Sequence, residues 1–185
     1  GFGIENLVKV EVDDQMAMKP DSLLQAIKND IKAGYTPCAV VTTLGTTGTM
    51  AMDPLKEIND ICLKFQLWNH VDAAYAGNAF ILEEYQHLIE DLSRADSYVF
   101  NPHKWLLVNF DCSAFYIKDK DLLLRTFEIL PEYLKTGNRG QVNDYRDWGI
   151  PLGRRFRALK LWMVIRTYGI NGLKLYFKNQ MELTK

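Results

Sequence analysis

A chain of 185 residues, 48% of them hydrophobic and with a formal net charge of -1, is long enough for one compact core and short for two. Acids and bases are interspersed, so the charge gives no reason to expect nucleic acid or a membrane surface as partner. No apolar run approaches a bilayer span and no signal sequence opens the chain. Cys38, Cys62 and Cys112 lack metal-ligand or CxxC spacing; they read as reduced, mostly buried thiols of a cytoplasmic protein.

In chain order, Leu7 to Val12 alternates like a strand that Asp13-Asp14 closes. Asp21-Ser22 is placed to cap a helix whose apolar positions are Leu23, Leu24, Ile27 and Ile31, with Gly34 ending it. Cys38 to Leu44 is a run of small and β-branched residues, the pattern of a strand buried on both faces, and it stops at Gly45-Thr46-Thr47-Gly48. Asp53-Pro54 starts the next helix, with Ile58, Ile61, Cys62 and Phe65 on its inner face. Leu67 to Val71 is a strand that delivers Asp72 and Ala74 to its carboxyl end. A short polar helix is expected over 83–92, a strand over Ser97 to Phe100, and an antiparallel strand over Ser113 to Ile117, because the connection is short.

Lys120 to Phe127 reads as a helix, and Pro131 to Gly149, poor in large apolar side chains, as an exposed and mobile loop. Gly153 to Tyr168 is a long amphipathic helix with Leu161, Val164, Ile165 and Tyr168 as core, and Gly172 begins another. Arg154, Arg155, Arg157 and Lys160 read as a solvated, salt-bridged helix start. Strands alternating with helices predict an α/β sheet, mostly parallel, with helices on both faces and no internal domain boundary.

Three of these strands end in polar clusters: the threonine turn, Asp72-Ala73-Ala74 and Asn101-Pro102-His103-Lys104. In such a sheet the carboxyl ends line one crevice where ligands bind. A lysine amine and a carboxylate at neighbouring strand ends are what pyridoxal phosphate (PLP) requires. The amine holds the cofactor as a Schiff base, and the acid pairs with the pyridinium nitrogen. Burial beside another cation would keep the amine partly neutral. Ala74 would let a flat ring lie close, and the hydroxyls of Thr46 and Thr47, with Asn101 and His103, could donate to phosphate or ring oxygen. Singly, each residue has a plainer use: a solvated lysine, an aspartate that forms a turn, a threonine turn, a hydrogen-bonded core histidine.

The run from Asn101 to Ala114, through His103-Lys104-Trp105, resembles the PLP-lysine segment of the group II amino-acid decarboxylases, most closely their aromatic L-amino-acid branch. His70 to Gly77 resembles that family's pyridinium-binding segment, Thr43 to Gly48 its threonine turn, and Ile150 to Arg157 its downstream helix start. The resemblance implies the large PLP-binding domain of the aspartate aminotransferase fold (fold type I). Lys104 would be the Schiff-base lysine and Asp72 the partner of the pyridine nitrogen, with Thr47, Ala74, Asn101 and His103 touching the cofactor. Tyr133 would be the mobile-loop tyrosine that reprotonates the carbanion; relatives that make aldehydes tend to carry phenylalanine there.

It further implies a homodimer acting on a small amino-acid substrate. With no initiator methionine and an end inside a helical pattern, residues 1–185 read as a fragment of that domain. The N-terminal segment and smaller C-terminal domain would lie outside it. Histidine, glutamate or cysteine-sulfinate decarboxylation, aldehyde synthesis, and a non-catalytic fragment kept for assembly are the rival readings.

Overall fold

The computed structural model describes residues 3–128 and 145–184. Four strands form one sheet in the order β1 (Ala39–Thr43), β2 (Trp68–Asp72), β3 (Ser97–Phe100) and β4 (Ala114–Ile117). β1, β2 and β3 run parallel, and β4 returns antiparallel to β3. The register pairs Thr43 with Asp72, and Asp72 with Val99, so the carboxyl ends of the three parallel strands lie side by side. This is the mostly parallel α/β arrangement that the alternation of elements predicts.

Helices α1 (Pro20–Lys32) and α2 (Leu55–Phe65) pack on one face of the sheet, where Leu23, Ile27, Val40, Ile58, Cys62 and Leu67 form a buried cluster. Ile58 is fully enclosed, and burying one such side chain contributes ~1.5–3 kcal/mol. The sheet is pinned to α2 by polar groups as well. Thr42 Oγ1 donates to Asn69 Oδ1 at 2.7 Å, Asn69 Nδ2 to Asn59 Oδ1 at 2.9 Å, and Asn59 Nδ2 to the Asp91 carbonyl at 2.9 Å. A second cluster gathers Leu44, Leu55, Val71, Ala73, Phe80 and Ala95. A third joins Leu82 and Leu106 to Leu173 and Phe177 of α5 (Arg157–Glu182).

Several local expectations change. Leu7 to Val12 is not a sheet strand: it makes only an isolated bridge, Val12 to Met18, and Leu7 and Val8 are exposed. Alternation without a neighbouring edge to pair with does not build a strand. β1 is buried on one face alone, with Val41 57% exposed, because α1 and α2 cover only the side carrying Val40 and Thr42. α1 starts at Pro20, with Lys19 as its cap position and Asp21 inside its first turn. Pro54 is the residue before α2, and Asp53 does not cap it. Its carboxylate instead accepts from the backbone amides of Met18, at 2.7 Å, and Thr43, at 2.6 Å, stitching the entry segment to β1.

The polar helix expected over 83–92 is a set of 3-10 turns, Glu83–Ile89 and Leu92–Arg94, preceded by another at Ala76–Ile81. The helix over Lys120–Phe127, α4, is present as expected, with Asp119 Oδ1 capping its first amides. The two final helices are present as expected: the stretch named α5 is two helices that meet at a non-helical Gly169 (φ 62°, ψ 171°). Leu161 and Val164 reach the core, but Ile165 and Tyr168 are half exposed, and Leu173 and Phe177 carry the packing beyond the kink. Most of the expected 131–149 loop lies outside the described residues; Tyr145–Trp148 form a 3-10 turn. Of the three thiols, Cys62 and Cys112 are buried, whereas Cys38 is exposed.

Gly77 sits where β3 presses on the turn after β2. A Cβ there would lie 2.7 Å from Phe100 Cβ and 2.7 Å from the Tyr98 hydroxyl, whereas one on Gly48 would meet nothing within 4 Å. Gly77→Ala should therefore destabilise the protein by ~1–3 kcal/mol in urea unfolding, and Gly48→Ala should stay within ~0.5 kcal/mol of the parent.

Candidate functional site

The chain leaves each parallel strand hydrogen-bonded to the next. Leu44 N donates to the Asp72 carbonyl at 2.9 Å, Ala73 N to the Val99 carbonyl at 3.0 Å, and Asn101 N to the Ala74 carbonyl at 3.1 Å. The three polar clusters expected to meet are thus brought to one edge. Gly45, at φ 78°, lets the threonine turn come so close to Ala76 that a Cβ on it would collide with that methyl.

Asp72 ends β2 half-buried. Its Oδ1 accepts from the Ala74 amide at 2.9 Å, a local aspartate turn, while Oδ2 has no partner among the described residues. The plain reading and the functional one therefore apply to different oxygens of one carboxylate.

Lys104 is the third residue of α3 (Pro102–Trp105), a single turn that begins with proline directly after β3. One turn has little stability of its own, so tethers define it. Lys104 N donates to the Asn101 carbonyl at 2.9 Å, His103 N to the Cys112 carbonyl at 3.2 Å, and Leu106 N to the Pro102 carbonyl at 3.1 Å. The burial expected of the lysine is not supplied: Lys104 is exposed, and its amine makes no ion pair or hydrogen bond among the described residues.

Of the other expected contacts, Ala74 is half-buried beside Asp72, and Thr47 is exposed with its hydroxyl unpartnered among the described residues. Thr46 is a turn former, its Oγ1 accepting from Ala51 N at 3.2 Å and lying 2.7 Å from the Thr49 hydroxyl. Asn101 Oδ1 accepts from Ser113 Oγ at 2.6 Å. His103 turns Nδ1 to the backbone of Cys112, 2.7 Å from its carbonyl oxygen and 2.9 Å from its amide nitrogen, so Nε2 alone remains for a ligand. Tyr133 lies outside the described residues.

Side chains that sequence reasoning had not assigned complete the edge. Tyr75 stacks on Trp105 at 5.4 Å between ring centroids, and Trp105 meets Phe177 of α5 edge-on at 5.1 Å. Asp111, in the loop after α3, is paired with Arg155 at 2.8 Å and Arg157 at 2.9 Å, and these guanidinium groups hold its carboxyl below the usual range. Lys160 donates to the Asn109 carbonyl at 2.7 Å. The basic cluster is salt-bridged, as expected, and its ion pairs fasten the lysine loop. No His, Cys, Asp or Glu group among the described residues could hold a metal.

The chain matches the family model described as the pyridoxal-dependent decarboxylase conserved domain over residues 2–185. It is 49% identical over 180 residues to an aromatic-L-amino-acid decarboxylase of Manduca sexta, covering 97% of this chain and 35% of that protein. A histidine decarboxylase of Drosophila melanogaster is 46% identical over 184 residues, 100% of this chain and 22% of the relative. The crystal structure of Oryza sativa TDC with PLP and tryptamine superposes with a TM-score of 0.90 at 41% identity, covering 94% of this chain and 36% of that one. The chain thus spans about a third of the length of the aromatic-L-amino-acid decarboxylase it matches.

On β2, two residues before Asp72, His70 Nδ1 lies 2.8 Å from Ser97 Oγ, which also accepts from Trp68 Nε1 at 2.9 Å. Burial pushes the imidazole below its ordinary range, and the nearby Asp72 charge only partly opposes this. Below about pH 6.5 the unfolded chain then binds more protons than the folded one, so stability falls as pH drops through that window. In urea unfolding at about pH 7.5 and about pH 5.5, the loss on acidification should be larger for the parent than for His70→Asn. Equal losses would contradict the buried, neutral imidazole.

Proposed function

We propose a function from one established premise: the chain belongs to the pyridoxal-dependent decarboxylase family. The protein of which these residues form part decarboxylates an aromatic L-amino acid, with pyridoxal phosphate as cofactor, to the amine and carbon dioxide. The observation that carries this reading is the hydrogen-bonded union of two strand ends, one bearing an acid with an oxygen and the other a lysine with an amine that have no partner among the described residues.

The side chains fit the group. A covalently held aldehyde cofactor needs an amine not already committed to an ion pair, and among the described residues Lys104 makes none. A pyridine nitrogen needs an acid that is fixed yet able to accept, and Asp72 offers Oδ2 while the Ala74 amide holds Oδ1. When bound, pyridoxal phosphate supplies a protonated ring that accepts the electron pair released at the substrate's Cα.

Lys104 would hold the cofactor until substrate amine replaces it. Asp72 would hold the ring nitrogen through the oxygen left free by the Ala74 amide and would favour its protonated form, an electrostatic contribution that costs no rearrangement during reaction. Ala74, without bulk beyond Cβ, leaves room against the backbone. Thr47, Nε2 of His103 and the side-chain Nδ2 of Asn101 are the donors left for phosphate or ring oxygen. Tyr133 is proposed, on the family resemblance, to return a proton to Cα. Most of the rate gain would come from orientation and charge stabilisation.

Residues 1–185 are proposed as part of the large cofactor-binding domain, in a cytoplasmic homodimer; no helix among the described residues is long and apolar enough to cross a membrane. A second reading, histidine decarboxylation, is supported by the 46% identity to the Drosophila melanogaster relative.

In the full-length protein, Lys104→Ala should abolish the visible absorbance of bound pyridoxal phosphate together with activity. Asp72→Asn should lower kcat by ~10²–10³ with the cofactor still bound. A parent protein without lysine-dependent absorbance would end the proposal. Product analysis with L-dopa, L-tryptophan, L-tyrosine and L-histidine decides the substrate: aromatic amines support the first reading, histamine the second. With an aromatic substrate, Tyr133→Phe should divert product from amine toward aldehyde.

A further inference from the structure

Asn78 stands out from the groups that this mechanism does not use. It lies in the 3-10 turn after Asp72, is 2% exposed, and sends its side-chain nitrogen to two backbone carbonyls, Tyr75 at 3.1 Å and Asn101 at 3.0 Å. Because both partners are acceptors, the amide must present its NH2 to them; turned over, it would set oxygen against oxygen. Its own Oδ1 is buried with no partner among the described residues. A buried oxygen left unsatisfied is unfavourable, which makes sense where a short side chain must deliver two donors from one nitrogen. Serine has one donor, and lysine would not fit so close to the backbone.

The Asn101 carbonyl accepts a second hydrogen bond, from Lys104 N at 2.9 Å. Asn78 therefore fixes the same oxygen that anchors the turn bearing Lys104. Through Tyr75 it also holds the segment that follows Asp72. Directly before it, Gly77 lets the turn approach Phe100 and Tyr98 at the end of β3, which brings the amide within reach.

We propose that Asn78 is a positioning residue for the reaction. It clamps the acid-bearing and lysine-bearing strand ends together and sets the direction in which Lys104 leaves its helix turn. The inference rests on the assignment of Lys104 and Asp72 to pyridoxal phosphate. Asn78 itself touches neither cofactor nor substrate in this account.

The test uses full-length protein carrying Asn78→Ala or Asn78→Ser, with Asn59→Ala as control. Asn59 is likewise buried (1% exposed) and donates to a carbonyl, that of Asp91, but on the α2 side of the sheet. All three variants are expected to unfold at lower urea concentration. A clamp on the lysine should move two further quantities in the Asn78 variants alone. The dissociation constant for pyridoxal phosphate should rise roughly tenfold in Asn78→Ala, the scale of one or two lost hydrogen bonds. The pH midpoint of the bound cofactor's visible absorbance should also shift. Asn78→Ser, which keeps one donor, should fall between Asn78→Ala and the parent. If Asn78→Ala does not fold, the serine variant alone decides.

Loss of stability with parental affinity and parental pH midpoint would overturn the proposal, as would equal changes in Asn59→Ala. A parent protein with no Lys104-dependent absorbance would instead sink the underlying assignment, and the inference with it.

Discussion

The structure turns on the hydrogen bond from the Asn101 amide to the Ala74 carbonyl. Behind it, the Ala74 amide holds the Asp72 carboxylate, and beyond it the Asn101 carbonyl receives the Lys104 amide. An acid and a base that are 32 positions apart in sequence are therefore connected by a short relay of backbone groups. Parallel pairing of β2 with β3 makes this possible: it sets the two strand ends level, so the chain segments leaving them can bond before they diverge. Neither segment is stable alone, since one is a brief run of 3-10 turns and the other a single helical turn. Each supplies the partner the other lacks.

Around that relay, packing and charge act in different directions. The Tyr75, Trp105 and Phe177 rings form a continuous contact from the acid-bearing segment through the lysine turn to α5. From the other side, Arg155 and Arg157 hold Asp111, and Lys160 holds the Asn109 carbonyl, so the loop after α3 is fastened to the start of α5. His103 closes the same loop through Cys112. The lysine is thus placed by backbone and ring contacts, while its own amine has no partner among the described residues. That division would suit the role proposed for Lys104, forming and releasing a covalent bond: what orients it does not compete with what it would react with. Burial pushes the Cys62 thiol up to about 11, which suits a sulfur that packs α2 against the sheet and takes no part in chemistry.

Much of this was legible in the residues. β1, β2, β3, β4, α2 and α4 lie where composition and spacing predict them to within a residue or two, because buried strands and amphipathic helices carry their periodicity locally. Where prediction failed, the deciding partner was distant in sequence. Leu7 to Val12 alternates convincingly but finds no strand edge. β1 has the composition of a strand covered twice and is covered once. Ile165 and Tyr168 have core spacing yet lie half exposed, and Leu173 and Phe177, beyond the break at Gly169, are buried in the core. Asp53 resembles a helix cap and is instead a tie between β1 and the entry segment.

The sequence by itself determined the elements, their α/β alternation and the polar residues stationed at three strand ends. Family membership rests on those same motifs, since a chemical requirement for a lysine or an acid is met by residue type. Only the tertiary structure decided which oxygen of Asp72 the Ala74 amide holds, that Lys104 is exposed with no partner for its amine among the described residues, that His103 spends Nδ1 on Cys112, and that Asn78 bridges two carbonyls. The last two depend on hydrogen bonds that span 9 and 23 positions. Such bonds have no period and no compositional signature; they exist only once parallel strands have set their ends side by side.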